Sequence, residues 1–214
     1  MHKLRSSRQN VINSLRHQGL WLSGYLLILG VVAWLCTEAW EREAVSFDRS
    51  ALLWIHQFAN PQLDRVMLFI TSLGNPPVVV TVFVATIIWL GIKRRSADVA
   101  RFTIVCVGGV LINQVMKLFF AKPRPELWTR LISEYSFSFP SGHAVGSMVI
   151  YGFIAYIFAK ELVQYRKYIY LTASMLIIAI GFSRLYLGVH YPTDIIAGYG
   201  IGFLWLMTCL KVRL

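Results

Sequence analysis

The sequence predicts an all-α integral membrane protein, a bundle of six transmembrane helices with its candidate site at the outer membrane interface. Three observations lead there. First, 57% of the 214 residues are hydrophobic, 14% are charged and the mean hydropathy is +0.58, whereas a soluble domain carries about 45–50% apolar and about 25% charged residues. Second, the apolar residues fall in blocks long enough to cross a hydrocarbon core, which takes about 20 residues. Third, the basic excess falls on alternate connections, as the positive-inside rule requires. One membrane-embedded domain over residues 1–214 follows, with no internal repeat or low-complexity tract.

Residues 1–19 carry Lys3, Arg5, Arg8 and Arg16 ahead of an apolar run from Leu20 to Cys36. The run is long and no small-residue cleavage site follows it, so an uncleaved helix is expected rather than a signal peptide. Bulky Trp34-Leu35 argues equally against lipoprotein processing at Cys36. The first span is placed at 20–37. From Glu38 to Pro61 the composition is acidic and mixed, and Leu52, Ile55 and Phe58 share one side, which suits a short interfacial helix. The second span is placed at 64–92, tilted or broken at Pro76 because Asn75-Pro76-Pro77 interrupts the apolar pattern. Lys93-Arg94-Arg95 end it. The remaining spans are placed at 99–120, 143–159, 168–187 and 192–210, the last followed by Lys211 and Arg213.

With the N-terminus inside, segments 1–19, 93–101, 160–167 and 211–213 hold 13 Lys and Arg against Asp98 and Glu161 only. The outer segments hold eight bases and eight acids. The whole net charge of +11 therefore lies on one face, and no nucleic-acid partner is needed to explain it. The expected location is the cytoplasmic membrane, with both termini cytoplasmic. The loop between spans three and four and the loop between spans five and six then lie together on the outer side. Cys36, Cys106 and Cys209 sit in apolar spans without a CxxC pair and read as buried thiols.

Three polar clusters share that outer side: Lys117 to Arg124, Pro140 to His143, and Ser183 to Asp194. Ionisable groups at the ends of spans are costly, so a functional role is the default for them. Lys117, Arg124 and Arg184 suit a phosphate, arginine as a planar fork and lysine as a point charge. Snorkelling to headgroups is the alternative for any one of them, and the expected role of Lys122 and Arg130. Ser141-Gly142-His143 opens a helix. Its N-terminal amides form an anion site and Gly142 permits close backbone approach, though by itself this is only a helix start. His190 and Asp194 are four apart with Pro192 in the first helical turn, so the carboxylate can fix the imidazole tautomer. Two histidines divide the work of a displacement at phosphorus, one attacking and the other protonating the leaving oxygen. No Cys/His/Asp/Glu set has metal-ligand spacing, and metal-independent chemistry without a cofactor is expected.

These residues resemble the type 2 phosphatidic acid phosphatase superfamily, whose signature is KxxxxxxRP, PSGH and SRxxxxxHxxxD. Here the blocks stand as Lys117-LFFAKP-Arg124-Pro125, Pro140-Ser141-Gly142-His143 and Ser183-Arg184-LYLGV-His190-YPT-Asp194, with every position and spacing matching. The resemblance implies that His190 is the nucleophile of a phosphohistidine intermediate, that Asp194 orients and activates it, and that His143 is the general acid. It implies that Lys117, Arg124, Ser141, Gly142 and Arg184 hold the phosphoryl oxygens, and that no metal takes part. Vanadium haloperoxidases share the motifs but are soluble, and six spans argue against that branch. The short chain resembles the bacterial members. The implied substrate is a lipid phosphate or pyrophosphate in the bilayer: phosphatidic acid, phosphatidylglycerophosphate, diacylglycerol pyrophosphate or undecaprenyl pyrophosphate. A phosphotransferase would carry the same motifs. A non-enzymatic lipid transporter would need the cations but not His143, His190 and Asp194.

Asn113 lies four residues before Lys117, where it either bonds a neighbouring helix or orients Lys117. Gly198-x-Gly200-x-Gly202 reads as close packing within the bundle rather than a dimer seam. The seven tryptophans fall mostly near span ends, as an aromatic belt does. Glu126 and Glu134 read as solvated loop charges, with headgroup choice as the alternative. His2, His17 and His56 receive no catalytic assignment.

Overall fold

Every regular element in the computed structural model, which describes residues 2–41 and 46–212, is helical. Arg42 and Arg213 lie outside the described residues, as do the side chains of His2, Lys3, Arg5, Arg8, Arg16 and His17. The helices are α1 (His2–Trp40), α2 (Ser46–His56), α3 (Pro61–Ser72), α4 (Pro76–Ile92), α5 (Ser96–Phe120), α6 (Gly142–Glu161), α7 (Arg166–Tyr186) and α8 (Pro192–Lys211). A 3₁₀ turn over Val163–Tyr165 joins α6 to α7. Among the described residues, five segments are long and apolar enough to cross a bilayer alone: Gly19–Trp40 within α1, α5, α6, the 3₁₀ turn with α7, and α8. The protein is a multi-pass membrane protein.

The stretch expected as one span at 64–92 is two helices bent by 42°, and together they make the sixth candidate crossing. Local chemistry explains the break. Asn60 caps α3, its side chain accepting from Gln62 N at 3.1 Å and Leu63 N at 3.0 Å. Proline lacks the N–H that would continue the α3 ladder, yet its fixed φ suits a first helical turn. Pro76 and Pro77 therefore end one helix and begin the next.

The core lies between α5, α6 and α8, where Phe102 stacks on Phe153 with centroids 4.8 Å apart. The glycine triplet packs inside the chain. A Cβ on Gly198 would come within 2.8 Å of Ala144 Cβ and 3.0 Å of Ser141 O, and one on Gly202 within 2.9 Å of Met148 Cβ. Gly200 faces Val32 of α1 instead. The close crossing of α6 and α8 joins their N-termini, so Ser141 N donates to Asp194 O at 3.2 Å.

The outer surface of the bundle is apolar, with Val110, Leu111, Val115 and Leu118 of α5 and Met175 and Ile178 of α7 exposed. A soluble monomer rarely presents such contiguous patches. Charged connections gather at one end. There Arg95 pairs with Asp98 at 2.7 Å and with Glu161, and Arg101 pairs with Asp98 at 3.1 Å.

Candidate active site

The opposite end of the bundle holds the three polar clusters. Helix α5 closes on Ala121, in the left-handed region at φ 47°, and the chain from residue 121 to 141 then crosses the bundle end without regular structure. Lys117, in the last turn of α5, is buried and donates to Phe137 O. Arg124 donates from Nε to Ser136 O at 2.7 Å and from Nη1 to Val189 O at 2.6 Å. Nη1 also lies 3.1 Å from His190 Nε2. Arg184, in the last turn of α7, is 1% exposed and donates to Thr71 Oγ1 of α3 at 2.7 Å. Its Nε is buried without a hydrogen-bond partner among the described residues, a donor free for an oxyanion.

Ser141 is the N-cap of α6 and accepts from Ala144 N at 3.5 Å. Asn113 Nδ2 donates to Pro140 O at 3.2 Å, and a Cβ on Gly142 would meet Asn113 Oδ1 at 3.3 Å. Asn113 thus pins the Pro140–Gly142 turn. It bonds neither Lys117 nor a neighbouring helix, the two roles expected for it. His143 Nε2 lies 2.9 Å from Asn75 Oδ1, and a Cβ on Gly74 would fall 2.5 Å from His143 Cδ2. The break between α3 and α4 therefore seats His143.

His190 is buried in the turn between α7 and α8. Its Nδ1 lies 3.3 Å from Asp194 Oδ2 and 3.4 Å from Ser138 Oγ. Asp194 Oδ2 also accepts from Tyr191 N at 2.9 Å and from Ser138 Oγ. Burial first, then the charges of Arg124, Arg184 and Lys117, hold the His190 ring well below the ordinary histidine range. The ring is neutral. With Asp194 on Nδ1, the proton sits there and the Nε2 lone pair faces Arg124. Burial lowers Arg124 to about 10, so it stays charged at neutral pH.

Beneath this lies a second layer that the sequence did not reveal. Lys122 Nζ stands 3.5 Å from Asp194 Oδ1, 3.8 Å from Asp48 Oδ2 and 3.3 Å from Thr193 Oγ1, and 4.8 Å above the Tyr191 ring centroid. Asp48 of α2 accepts from Thr193 N at 3.0 Å and Thr193 Oγ1 at 2.6 Å. Burial pushes the Asp48 carboxyl above its usual range, against those bonds and Lys122. Lys122, expected to snorkel or be solvated, is 1% exposed, because two buried carboxylates compensate its charge. Glu134, expected as a solvated loop charge, pairs with Arg184 and stands 3.6 Å from Arg124.

The eight residues singled out from the motifs, Lys117, Arg124, Ser141, Gly142, His143, Arg184, His190 and Asp194, therefore converge at one end of the bundle. The charges of Arg184 and Arg124 act on His143. Asp48, Thr71, Asn75 and Ser138 join them. Of these, Asn75 carried a signal in its place at the Pro-Pro break, and Asp48 as the one acid within α2.

Known proteins resemble the chain in sequence and in fold. The PAP2 superfamily pattern matches residues 98–214. Phosphatidylglycerophosphatase B of Bacillus subtilis is 31% identical over 186 residues, covering 86% of this chain and 89% of that protein. The undecaprenyl-diphosphatase BcrC of the same organism is 30% identical over 155 residues, covering 68% and 75%. Among crystal structures, the transmembrane PAP2 type phosphatidylglycerolphosphate phosphatase of Bacillus subtilis aligns with a TM-score of 0.77 at 30% identity, over 88% of this chain and 93% of that one. Aquifex aeolicus LpxE, at 24% identity, shares the fold with a TM-score of 0.66, over 79% of this chain and 98% of that one.

Proposed function

The chain belongs to the PAP2 superfamily and is a membrane lipid phosphate phosphatase, and on that premise we propose that it hydrolyses phosphomonoester or pyrophosphate headgroups through a phosphohistidine on His190. The observation that carries this reading is the polarity of the His190 ring. Nδ1 is held by Asp194 at 3.3 Å, and Nε2 is turned to Arg124 at 3.1 Å. That leaves a neutral, oriented nitrogen nucleophile beside a guanidinium.

In the first step the Nε2 lone pair forms an N–P bond while the bond from phosphorus to the lipid oxygen breaks. That oxygen takes the electron pair and a proton from His143, which is protonated beside the bound phosphoryl anion. Lys117, Arg124, Arg184 and the Ser141–Gly142 end of α6 hold the phosphoryl oxygens as charge develops on them. In the second step neutral His143 takes a proton from water, the water oxygen attacks phosphorus, and the N–P bond breaks. Phosphate leaves, and both histidines return to their starting forms.

The names of the relatives support phosphatidylglycerophosphate and undecaprenyl pyrophosphate as substrates. Phosphatidic acid and diacylglycerol pyrophosphate present the same terminal phosphoryl group. The chain functions as one domain over residues 1–214, with six spans of which α3 and α4 together form the second. Both termini face the cytoplasm, and the site faces the outside of the cytoplasmic membrane. This orientation is supported by the basic clusters at the end opposite the site.

Phosphate release from those four lipids, by detergent-purified protein in EDTA, tests the reading. Release by wild type that is lost in His190→Ala is expected. Undiminished release by His190→Ala would overturn the nucleophile, and lipid binding without any release would point to a transporter.

A further inference from the structure

Glu134 contacts the two guanidiniums that the phosphatase reading assigns to the phosphoryl group. One of its carboxylate oxygens pairs with Arg184 Nη2 and the other lies 3.6 Å from Arg124 Nη2, so the anion bridges the two guanidiniums. Its charge acts on Lys117 as well. A carboxylate in that position uses the donors that a tetrahedral oxyanion needs.

The two sides of this bridge are not equally fixed. Arg184 is anchored on Thr71 Oγ1, and Arg124 on the carbonyls of Ser136 and Val189. Glu134 lies in the irregular stretch between α5 and α6, its side chain 26% exposed, next to Tyr135, which is 98% exposed. A change of side-chain torsion carries the carboxylate into water and breaks no helix. Arg184 stays on α7, bonded to Thr71, and Arg124 keeps its bond to Val189 O outside that stretch; the glutamate can leave.

We propose that Glu134 is a displaceable counter-ion that competes with the phosphoryl group for Arg124 and Arg184, and so limits how tightly the site holds phosphate. The proposal rests on the phosphatase reading above. With Glu134 in place the three cations carry a net charge of about +2, near the charge of a phosphomonoester dianion. The incoming phosphoryl group replaces one anion by another and leaves no bare cation cluster. After hydrolysis, return of the carboxylate helps to expel inorganic phosphate. A purely structural Glu134, holding the arginines in place, makes the opposite prediction, because its removal would loosen the phosphate site.

The test is inhibition of phosphatidic acid hydrolysis by inorganic phosphate and by orthovanadate, in EDTA, for wild type, Glu134→Gln, Glu134→Asp and the loop control Glu126→Gln. Glu134→Gln should lower both inhibition constants about tenfold, equivalent to ~1.4 kcal/mol. Glu134→Asp keeps the charge on a shorter arm and should lower them by a smaller factor, and Glu126→Gln should leave them unchanged. Constants that are unchanged or raised in Glu134→Gln would overturn the proposal. If Glu134→Gln turns over too slowly to assay, the rise in Tm produced by phosphate is read instead. A larger rise than in wild type supports the competition, and an equal or smaller one overturns it. Wild type that responds to neither anion would overturn the phosphate-site reading itself, a separate failure.

Discussion

Two layers of charge meet at His190, and they are built in opposite ways. On the Nε2 side, Lys117, Arg124 and Arg184 bond carbonyl and hydroxyl oxygens and a loop carboxylate. On the Nδ1 side, Lys122 pairs with both Asp194 and Asp48, these three at most 1% exposed, and Asp48 accepts from Thr193. The difference follows from what each layer does in a turnover. Cations that bind a substrate must exchange an anion on every cycle, and among their partners the loop carboxylate of Glu134 is the one that a phosphoryl group can replace. Groups that orient the nucleophile must stay put, and a sealed ammonium between two carboxylates does not rearrange without leaving a charge buried and unpaired.

The sharpest way to break this contrast is at the nitrogen where the layers meet. His190→Ala should take phosphate release in EDTA down by about 10⁵-fold or more while lipid binding survives, since removal of a nucleophile abolishes the covalent route. Asp194→Asn should lower kcat by about 10⁴-fold, because an amide favours the wrong tautomer; a loss below tenfold would remove Asp194 from the account.

The sealed layer has a stability signature that the open layer lacks. Lys122→Met leaves Asp48 and Asp194 without their shared cation and should destabilise the fold by about 3–5 kcal/mol, read from thermal unfolding in detergent. Adding Asp48→Asn removes one of the stranded charges and should recover part of the loss. Strict additivity of the two changes would show that the layer is not coupled.

In the open layer, Arg124→Lys loses the fork that reaches Ser136 O and Val189 O and should lower kcat/KM by roughly 10–100-fold, with little change in Tm. At the rim, Arg130 pairs with Glu126 at 3.5 Å, and that carboxylate is 85% exposed. Removing either should change stability by less than about 0.5 kcal/mol.

What the sequence made legible matches this division. The open layer and the His190–Asp194 pair are carried by residues at fixed spacing from one another, Lys117 to Arg124 and Arg184 to Asp194, so a pattern exposes them. The sealed layer is assembled across the fold. Asp48 reaches Thr193 from 145 positions away, and Ser138 reaches Asp194 from 56. Nothing local in the chain records those pairings. Lys122 shows the limit most plainly, because a lysine at the end of a span reads the same whether it snorkels or is clamped between two carboxylates. Glu134 was read as solvated for the same reason, its partner Arg184 being 50 positions away.

The helices were legible from their apolar blocks, and the α3–α4 break from Asn75-Pro76-Pro77. That the break exists to seat His143 against Gly74 and Asn75 was not, since it depends on where α6 begins in space. The glycine triplet was read as internal packing, and Gly198 and Gly202 do pack on Ala144 and Met148 of α6. Asn113 had two expected partners and took a third, the carbonyl of Pro140.

The central claim is covalent transfer to His190, and base-quenched single turnover tests it most directly. Phosphatidylglycerophosphate labelled in its terminal phosphate is mixed with excess protein in EDTA, stopped in alkali where phosphohistidine survives, and digested for peptide mapping. Label should appear within one turnover on the peptide containing His190, and be absent in His190→Ala. Full turnover by wild type with no label on the protein, or with label on another residue, would contradict the account.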